Sequence, residues 1–183
     1  TVRTADGKPL RNAEVTVEMV RNKFLFGSNM FAYDQLGSDE LNGKYARQFS
    51  GLLNFATLPF YWGMYEHKAQ PERPTQIKQV TAMAKWCKAN GLVAKGHPLC
   101  WHEVQPKWLK GKPTDEVMKL QLGRIEREVK DFGGLIETWD VLNEVVVMPK
   151  FSRKGQTALR DVCKKTGQVE LIKQCFAVAR KTN

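Results

Sequence analysis

The sequence predicts an α/β fold, because strand-like and helix-like segments alternate along most of its 183 residues. Four short apolar runs have the length of strands, and the segments between them carry apolar residues at helical spacing. Strands that alternate with helices form parallel sheets. A complete eightfold barrel needs about 250 residues, so these four units predict the first half of a (β/α)8 TIM-barrel type of fold, preceded by a short β segment.

Residues 1–22 are predicted to be this β lead-in. They would form either the edge of a β module or a linker to the barrel. The segment Asp6–Pro9 is a turn signal, and the residues from Val15 to Met19 alternate at a period of two. The remainder of the chain, residues 23–183, is predicted to be the half-barrel.

Residues that start and stop helices mark the boundaries of the four units. Ser38, followed by Glu40, predicts the start of the first helix, and Asn90-Gly91 predicts the end of the second. Thr114 is the expected N-cap of the third helix. Strands are expected within 23–30, 53–62, 92–99 and 135–143, and helices within 38–52, 74–90, 114–132 and 156–182.

The chain carries a formal net charge of +10, which alone favours an anionic partner such as nucleic acid or an acidic polysaccharide. Its basic residues are spread along helical faces, so we interpret them as a solvated surface and expect no nucleic-acid partner. No apolar run is long enough to cross a bilayer, and no membrane partner is expected. The four cysteines form no C-x-x-C pair and are interpreted as buried free thiols.

Polar residues at the ends of apolar strands are the candidates for chemistry, because the carboxyl ends of barrel strands carry the active site. The fourth predicted strand ends in Asn143-Glu144. A carboxylate beside an apolar, enclosed wall has a pKa raised toward the working pH, which suits proton transfer to a leaving-group oxygen. The alternative is a glutamate in the first turn of a helix, with Asn143 as its cap.

The third predicted strand ends among histidines and tryptophans, namely His97, Trp101, His102 and Trp108. Indole faces can stack on sugar rings, and imidazoles can donate to sugar hydroxyls. The alternative is one core histidine within an aromatic core cluster. His97 and His102 could also be metal ligands, but no third ligand stands at a known spacing, so no metal is expected.

The second predicted strand leads into an aromatic cluster over residues 58–66, which includes Trp62. Such a cluster could form a sugar subsite, with Trp62 binding the substrate, or it could be core packing. Both interpretations remain open at this level.

Two motifs resemble those of glycoside hydrolase family 10, the endo-1,4-beta-xylanases. The run K-G-H-P-L-C-W-H at 95–102, followed by P-K-W at 106–108, resembles the family's G-H-x-L-x-W-H and P-x-W signature. The run W-D-V-L-N-E at 139–144 resembles its W-D-V-x-N-E acid/base motif. Because the two motifs occur in the right order and about forty residues apart, they are a more specific signal together than either is alone.

The resemblance implies a retaining hydrolase that cleaves beta-1,4-xylosidic bonds of xylan or xylo-oligosaccharides. Carried over by position, Glu144 would be the general acid/base and Asn143 would bind the sugar beside the cleaved bond. His97 and Trp101 would line the same subsite. No metal or organic cofactor is implied, and a secreted or periplasmic location is expected from the family alone.

Two departures from the family pattern alter these expectations. The T-x-E-N-x-x-K pattern at the end of the second strand is missing, because Thr57 is followed by L-P-F-Y-W-G, which is typical of a divergent branch. The family's nucleophile lies on the seventh strand, so the nucleophile glutamate is expected beyond residue 183. The fragment alone is therefore expected to be inactive. The alternative is a non-catalytic, sugar-binding half-barrel. In either case the open edge of the fourth strand and the exposed apolar surface of the helix layer predict self-association.

Overall fold

The computed structural model describes residues 1–20, 22–66 and 76–183, and within these residues it contains one four-stranded sheet. The strands are paired in chain order and are all parallel. Their bounds are β1 Gly27–Asn29, β2 Phe55–Pro59, β3 Val93–His97 and β4 Thr138–Trp139. Beyond β3 and β4, a parallel bridge between Cys100 and Leu142 continues the pairing. The α/β fold with a parallel sheet is thereby confirmed.

Helices separate the strands along the chain. Their bounds are α1 Asp39–Leu52, α2 Trp62–Tyr65, α3 Gln76–Ala89, α4 Thr114–Asp131, α5 Ala158–Thr166 and α6 Gln168–Thr182, with a 3-10 turn at Lys107–Leu109. Ser38 caps α1 as predicted, since its hydroxyl accepts the backbone N–H of Leu41. The N-cap of α4 is Pro113 rather than the predicted Thr114. The predicted start of the second long helix, at residue 74, lies outside the described residues.

The prediction of a strand near residues 15–19 is wrong. Residues 13–20 lie outside any strand, and Val17 and Val20 are 88% and 95% exposed. Only an antiparallel bridge between Arg3 and Pro9 flanks the predicted turn. An alternating sequence forms a strand only where a neighbouring strand completes the hydrogen-bond ladder, and none lies beside these residues. The division of the chain at residue 22 stays a prediction.

Two apolar clusters pack the helices against the sheet. One fills the space between the sheet and α1 and α3, around Met30, Leu58, Phe60 and Met83. The other joins α4, α5 and α6 to the ends of β3 and β4. All four cysteines are buried and free, which confirms the prediction; they are Cys87, Cys100, Cys163 and Cys175.

A buried arginine on α4 connects this helix to two strands. The guanidinium of Arg124 donates to the backbone carbonyl oxygens of Phe60 and Leu99, which follow β2 and β3. Its Cζ lies 5.4 Å from the ring centroid of Trp62. Burial lowers the pKa of Arg124, while the negative charge of Glu128 opposes this effect. The buried charge is compensated by Glu128 and by the two carbonyl oxygens, and it links α4 to the segments that follow β2 and β3.

Replacement of Arg124 by methionine should lower the free energy of unfolding by about 3 kcal/mol, because it removes the donor to the buried carbonyl of Phe60 and one of the positive charges near the buried Glu128. Urea denaturation followed by circular dichroism measures the change. The exposed Arg47 on α1 supplies the matched control, since Arg47→Met should change stability by less than about 0.5 kcal/mol. Equal effects of the two substitutions would contradict a special role for Arg124.

Candidate active site

Side chains from the ends of β2, β3 and β4 meet at the carboxyl end of the sheet. The indole Nε1 of Trp101 donates to Oε2 of Glu144 at 3.0 Å. The ring of Tyr61 lies 5.6 Å from that of Trp101 and 5.5 Å from that of His97, centroid to centroid. Three of the predicted site residues are thus brought together: Trp101 contacts Glu144 directly, and the ring of Tyr61 lies between Trp101 and His97.

Glu144 occupies a backbone conformation that few side chains adopt. Its φ is 52°, in the left-handed region, and such a residue costs of order 1 kcal/mol unless its surroundings hold it. The N–H of Asn143 donates to the carbonyl of Cys100 at 2.9 Å, and the carbonyl of Glu144 accepts the N–H of Met148 at 3.0 Å. These bonds fix the chain on both sides of Glu144 and direct its carboxylate toward Trp101.

The expectation of an enclosed apolar wall around Glu144 is wrong for the described residues. Glu144 is exposed, and Asn143 is half-buried. The hydrogen bond to this carboxylate comes from Trp101, in the segment that follows β3.

Asp140 is a site residue that the sequence analysis missed. Its Oδ2 lies 2.7 Å from Nδ1 of His97 and 2.8 Å from Nζ of Lys95. Burial alone raises the pKa of Asp140, but the hydrogen bonds from Lys95 and His97 outweigh it and hold the pKa below its ordinary value of 3.8. The carboxylate thereby fixes the imidazole orientation of His97. The alternation of Lys95 and His97 along one strand, with an Asp on the next, is the signal that could have indicated this pairing.

Tyr61, which lies two residues after β2, is the aromatic residue of this segment that reaches the site. Its ring contacts Phe31 edge-on at 5.9 Å, besides His97 and Trp101. Burial raises the pKa of the Tyr61 hydroxyl. The ring therefore forms an apolar wall next to Trp101 in the place where the sequence lacks the polar T-x-E-N-x-x-K pattern.

Trp62, the predicted substrate-binding residue of this segment, is 3% exposed and lies in the core. Its indole N–H donates to Glu66 at 3.1 Å, and its ring meets Trp108 edge-on at 5.8 Å. Because α2 begins at Trp62, the side chain turns under the strand ends toward Arg124 instead of toward the site. The prediction that Trp62 stacks on substrate is therefore corrected: in this structure no face of its ring is open to a ligand.

The second histidine of the third strand end is also a core residue. His102 is 0% exposed, and its Nε2 lies 2.9 Å from the carbonyl oxygen of Phe151 and 3.2 Å from Oε1 of Glu103. It thus connects the segments that follow β3 and β4. Within residues 1–20, 22–66 and 76–183, no three His, Cys, Asp or Glu side chains are grouped so that they could hold a metal ion.

Three other glutamates lie on or next to the segments that carry the site, and each is in a different environment. Glu66 is buried and paired with Arg127 at 2.6 Å. Glu103 accepts the backbone N–H of Arg153 at 2.9 Å. Glu137 directly precedes β4 and so lies at the opposite end of this strand from Glu144. None of the three contacts Glu144.

Comparison with known proteins identifies the class to which this fold and site belong. The family model described as Glycosyl hydrolase family 10 matches residues 19–183. The chain belongs to this family.

Particular relatives agree with this assignment. An endo-1,4-beta-xylanase 5-like protein of Arabidopsis thaliana is 27% identical over 138 residues, which cover 74% of this chain and 23% of the relative. Xylanase 10B of Thermotoga petrophila, solved in complex with xylobiose, superposes with a TM-score of 0.65 at 21% identity and covers 87% of this chain and 46% of that one. A mutant of xylanase A from P fluorescens subsp. cellulosa with xylopentaose gives a TM-score of 0.68 at 18% identity, covering 88% and 48%.

The chain therefore has the fold of these solved xylanases over about half of their length, and it spans about a quarter of the Arabidopsis relative. The TIM-barrel type of fold expected from the sequence is supported by these neighbours. Among the helices of the described residues, none has the length and apolar character needed to cross a membrane.

The pairing of Asp140 should appear in the dependence of stability on pH. Since its pKa is lower in the folded protein, the unfolded chain binds this proton more tightly, and the stabilisation is present above about pH 4. It is lost as the pH falls through the folded-state pKa. Asp140→Asn should therefore lower the unfolding free energy by about 1 kcal/mol at pH 6, and the deficit should shrink below pH 4.

Urea titrations at several pH values measure this deficit. Glu126→Gln, at an exposed position of α4, is the matched control and should follow the parent protein throughout. A deficit for Asp140→Asn that stays constant down to pH 2 would show that the carboxylate has no lowered pKa in the folded state.

Proposed function

We propose that this chain supplies the acid/base half of a retaining glycoside hydrolase site that cleaves beta-1,4-xylosidic bonds of xylan. One observation carries the proposal: Glu144, at the end of β4, is exposed and accepts a hydrogen bond from Trp101 while aromatic side chains line the adjacent surface. The xylanases among the relatives and the solved neighbours support xylan as the substrate.

In this proposal Glu144 first acts as a general acid that protonates the leaving-group oxygen. It then acts as a general base for the water that hydrolyses the glycosyl-enzyme intermediate. The N–H of Trp101 holds the carboxylate in one orientation for both steps. Asn143 and His97 bind hydroxyls of the sugar beside the cleaved bond, and Asp140 keeps the imidazole of His97 in place.

Tyr61 gives this site an apolar subsite one place further out. The ring packs against Phe31 and Trp101 and belongs to the segment after Thr57 that lacks the polar T-x-E-N-x-x-K pattern. A pyranose ring stacks on such a wall through its C–H face. We propose that this subsite distinguishes the divergent branch by favouring sugar surfaces with few hydroxyls directed at the protein.

A retaining mechanism needs two carboxyl groups about 5 Å apart. Glu66, Glu103 and Glu137 are each positioned elsewhere. We propose that the nucleophile is a glutamate beyond residue 183, and that residues 1–183 alone are inactive. The second candidate function is that of a non-catalytic, sugar-binding half-barrel. It is favoured because these three glutamates are positioned outside the site.

Reducing-sugar release from xylan tests the catalytic assignment. Residues 1–183 alone should release none, whereas a mixture with a polypeptide that spans the fifth to eighth βα units of a family 10 xylanase should be active. Glu144→Gln should lower the rate of the mixture at least about 100-fold, because the proton donor is lost. Glu137→Gln, an equal change at the opposite end of β4, is the control and should retain full activity.

Two results would contradict parts of the proposal. Activity of the isolated chain would mean that a second carboxylate lies within residues 1–183. Full activity of Glu144→Gln in the mixture would remove Glu144 from the acid/base role.

We also propose that the isolated chain associates with itself through the β1 edge of its sheet. Within the described residues β1 pairs only with β2, and the residues before it, Phe24 and Phe26, are 67% and 55% exposed. An open edge next to apolar side chains favours pairing between copies.

Sedimentation velocity at several concentrations should show this association. The double substitution Phe24→Ser and Phe26→Ser should weaken it, whereas Val169→Ser, at an exposed position of α6, should not. A monomer at every concentration would refute association through this edge.

A further inference from the structure

A second concave site lies at the same end of the sheet as Glu144. It is a cavity with a volume of about 960 Å³, and its walls are the segments that follow β2, β3 and β4. Carboxyl-end loops carry the binding sites of parallel α/β folds. The cavity shares none of its lining residues with the Glu144, Trp101, His97 and Tyr61 site, so the function proposed above does not use it.

The lining of this cavity is positively charged. It includes four lysines, Lys107, Lys110, Lys112 and Lys154. Lys112 pairs with Glu116, but within the described residues no carboxylate lies within ion-pair distance of the other three. Like charges that share one concavity, without partners, attract an anion more strongly than the same charges spread over a convex surface.

Two carboxylates also line the cavity, and both are already engaged. Glu103 is buried, accepts the backbone N–H of Arg153 and lies next to His102. Asp161 accepts a hydrogen bond from the amide of Gln156 at 3.0 Å. Neither contacts Lys107, Lys110 or Lys154, so the three ammonium groups remain available to a ligand.

The cavity is held in shape by hydrogen bonds between its walls. The side-chain oxygen of Gln105 accepts the N–H of Leu159 at 2.9 Å, and Gly63 donates to the carbonyl of Val104 at 3.0 Å. A Cβ on Gly63 would approach the backbone of Gln105 to 2.6 Å, so the two walls meet closely at this glycine. A cavity that is formed before binding loses little entropy when a ligand enters.

We propose that this cavity binds a carboxylate-bearing sugar, a uronic acid carried by the same polysaccharide that reaches Glu144. This rests on the proposed function, which supplies the polysaccharide. Lysine ammonium groups bind a carboxylate as point charges, and Gln105 and Thr114 add neutral hydrogen-bonding groups for hydroxyls. The volume is that of a small-molecule site and accommodates a sugar unit.

The lining favours an acidic sugar over a nucleic acid. Bidentate recognition of phosphate uses arginine forks, and single-stranded bases stack on aromatic rings. Neither an arginine nor an aromatic residue is among the described residues that line the cavity. A duplex also needs a basic surface that follows its backbone, whereas these lysines line a concavity.

Isothermal titration calorimetry with two ligands tests the proposal: a linear xylo-oligosaccharide and the same oligosaccharide with one glucuronic acid branch. The parent chain should bind the acidic ligand about five-fold more tightly than the neutral one, as expected for three partly exposed charge contacts. Substituting Lys107, Lys110 and Lys154 together by glutamine should abolish this preference. It should leave the affinity for the neutral ligand unchanged.

A second triple variant controls for net charge. It carries three substitutions at exposed positions on α1, α3 and α6, namely Lys44→Gln, Lys85→Gln and Lys173→Gln. These remove the same total charge and should leave the preference for the acidic ligand unchanged. Loss of the preference in this variant, or equal affinity of the parent for the two ligands, would overturn the proposal.

Two further measurements separate the cavity from the proposed function. Electrophoresis through a gel that contains polygalacturonate should retard the parent and the control variant more than the cavity variant, with no xylan present. This result would support a uronic-acid site in the cavity even if the neutral xylo-oligosaccharide fails to bind. Failure of the neutral ligand to bind would count against the proposed function alone. Tighter binding of duplex DNA than of the acidic oligosaccharide, lost in the cavity variant, would assign the site to nucleic acid and overturn the proposal.

Discussion

The guanidinium of Arg124 determines where the carboxyl ends of β2 and β3 lie. It donates to the carbonyls of Phe60 and Leu99, which follow β2 and β3. A buried charge is stable only if its surroundings compensate it, and here a network on the same side of the sheet does so. Arg127 pairs with Glu66 and Glu128 at 2.6 and 2.8 Å, and the hydroxyl of Tyr65 donates to Glu128 at 2.8 Å. The strand ends are therefore held by polar bonds as well as by apolar packing.

The geometry of the candidate site follows from this anchor. Phe60 directly precedes Tyr61, and Leu99 lies two residues before Trp101. The bonds to Arg124 thus fix the backbone next to the two aromatic residues of the site, and Trp101 in turn holds the carboxylate of Glu144. Lys95, His97 and Asp140 connect β3 to the start of the segment that carries Glu144. A side chain with left-handed backbone geometry keeps its orientation only in such a constrained setting.

The lysine-lined cavity and the Glu144 site are built by loops that leave the same strands. Residues 101 and 103 belong to one short segment, and their side chains serve different sites: Trp101 contacts Glu144, whereas Glu103 lines the cavity. His102, between them, is buried and lies within hydrogen-bond distance of the carbonyl oxygen of Phe151. One segment therefore presents the contact to Glu144 on one side and the basic concavity on the other.

The sequence by itself determined the order of the parallel strands and helices, the cap at Ser38, the buried thiols and the family, because periodicity, capping and motifs are local properties. It selected Trp62 for the site instead of Tyr61, its neighbour of similar chemistry. Only the tertiary structure, in which α2 begins at Trp62 and turns its ring toward Arg124, places Tyr61 in the site. Contacts between distant segments also decide three further features: the pairing of Asp140 with Lys95 and His97, the exposure of Glu144 and the lack of a strand at residues 13–20. Such contacts leave no periodic signal in the chain, so tertiary packing alone decided them.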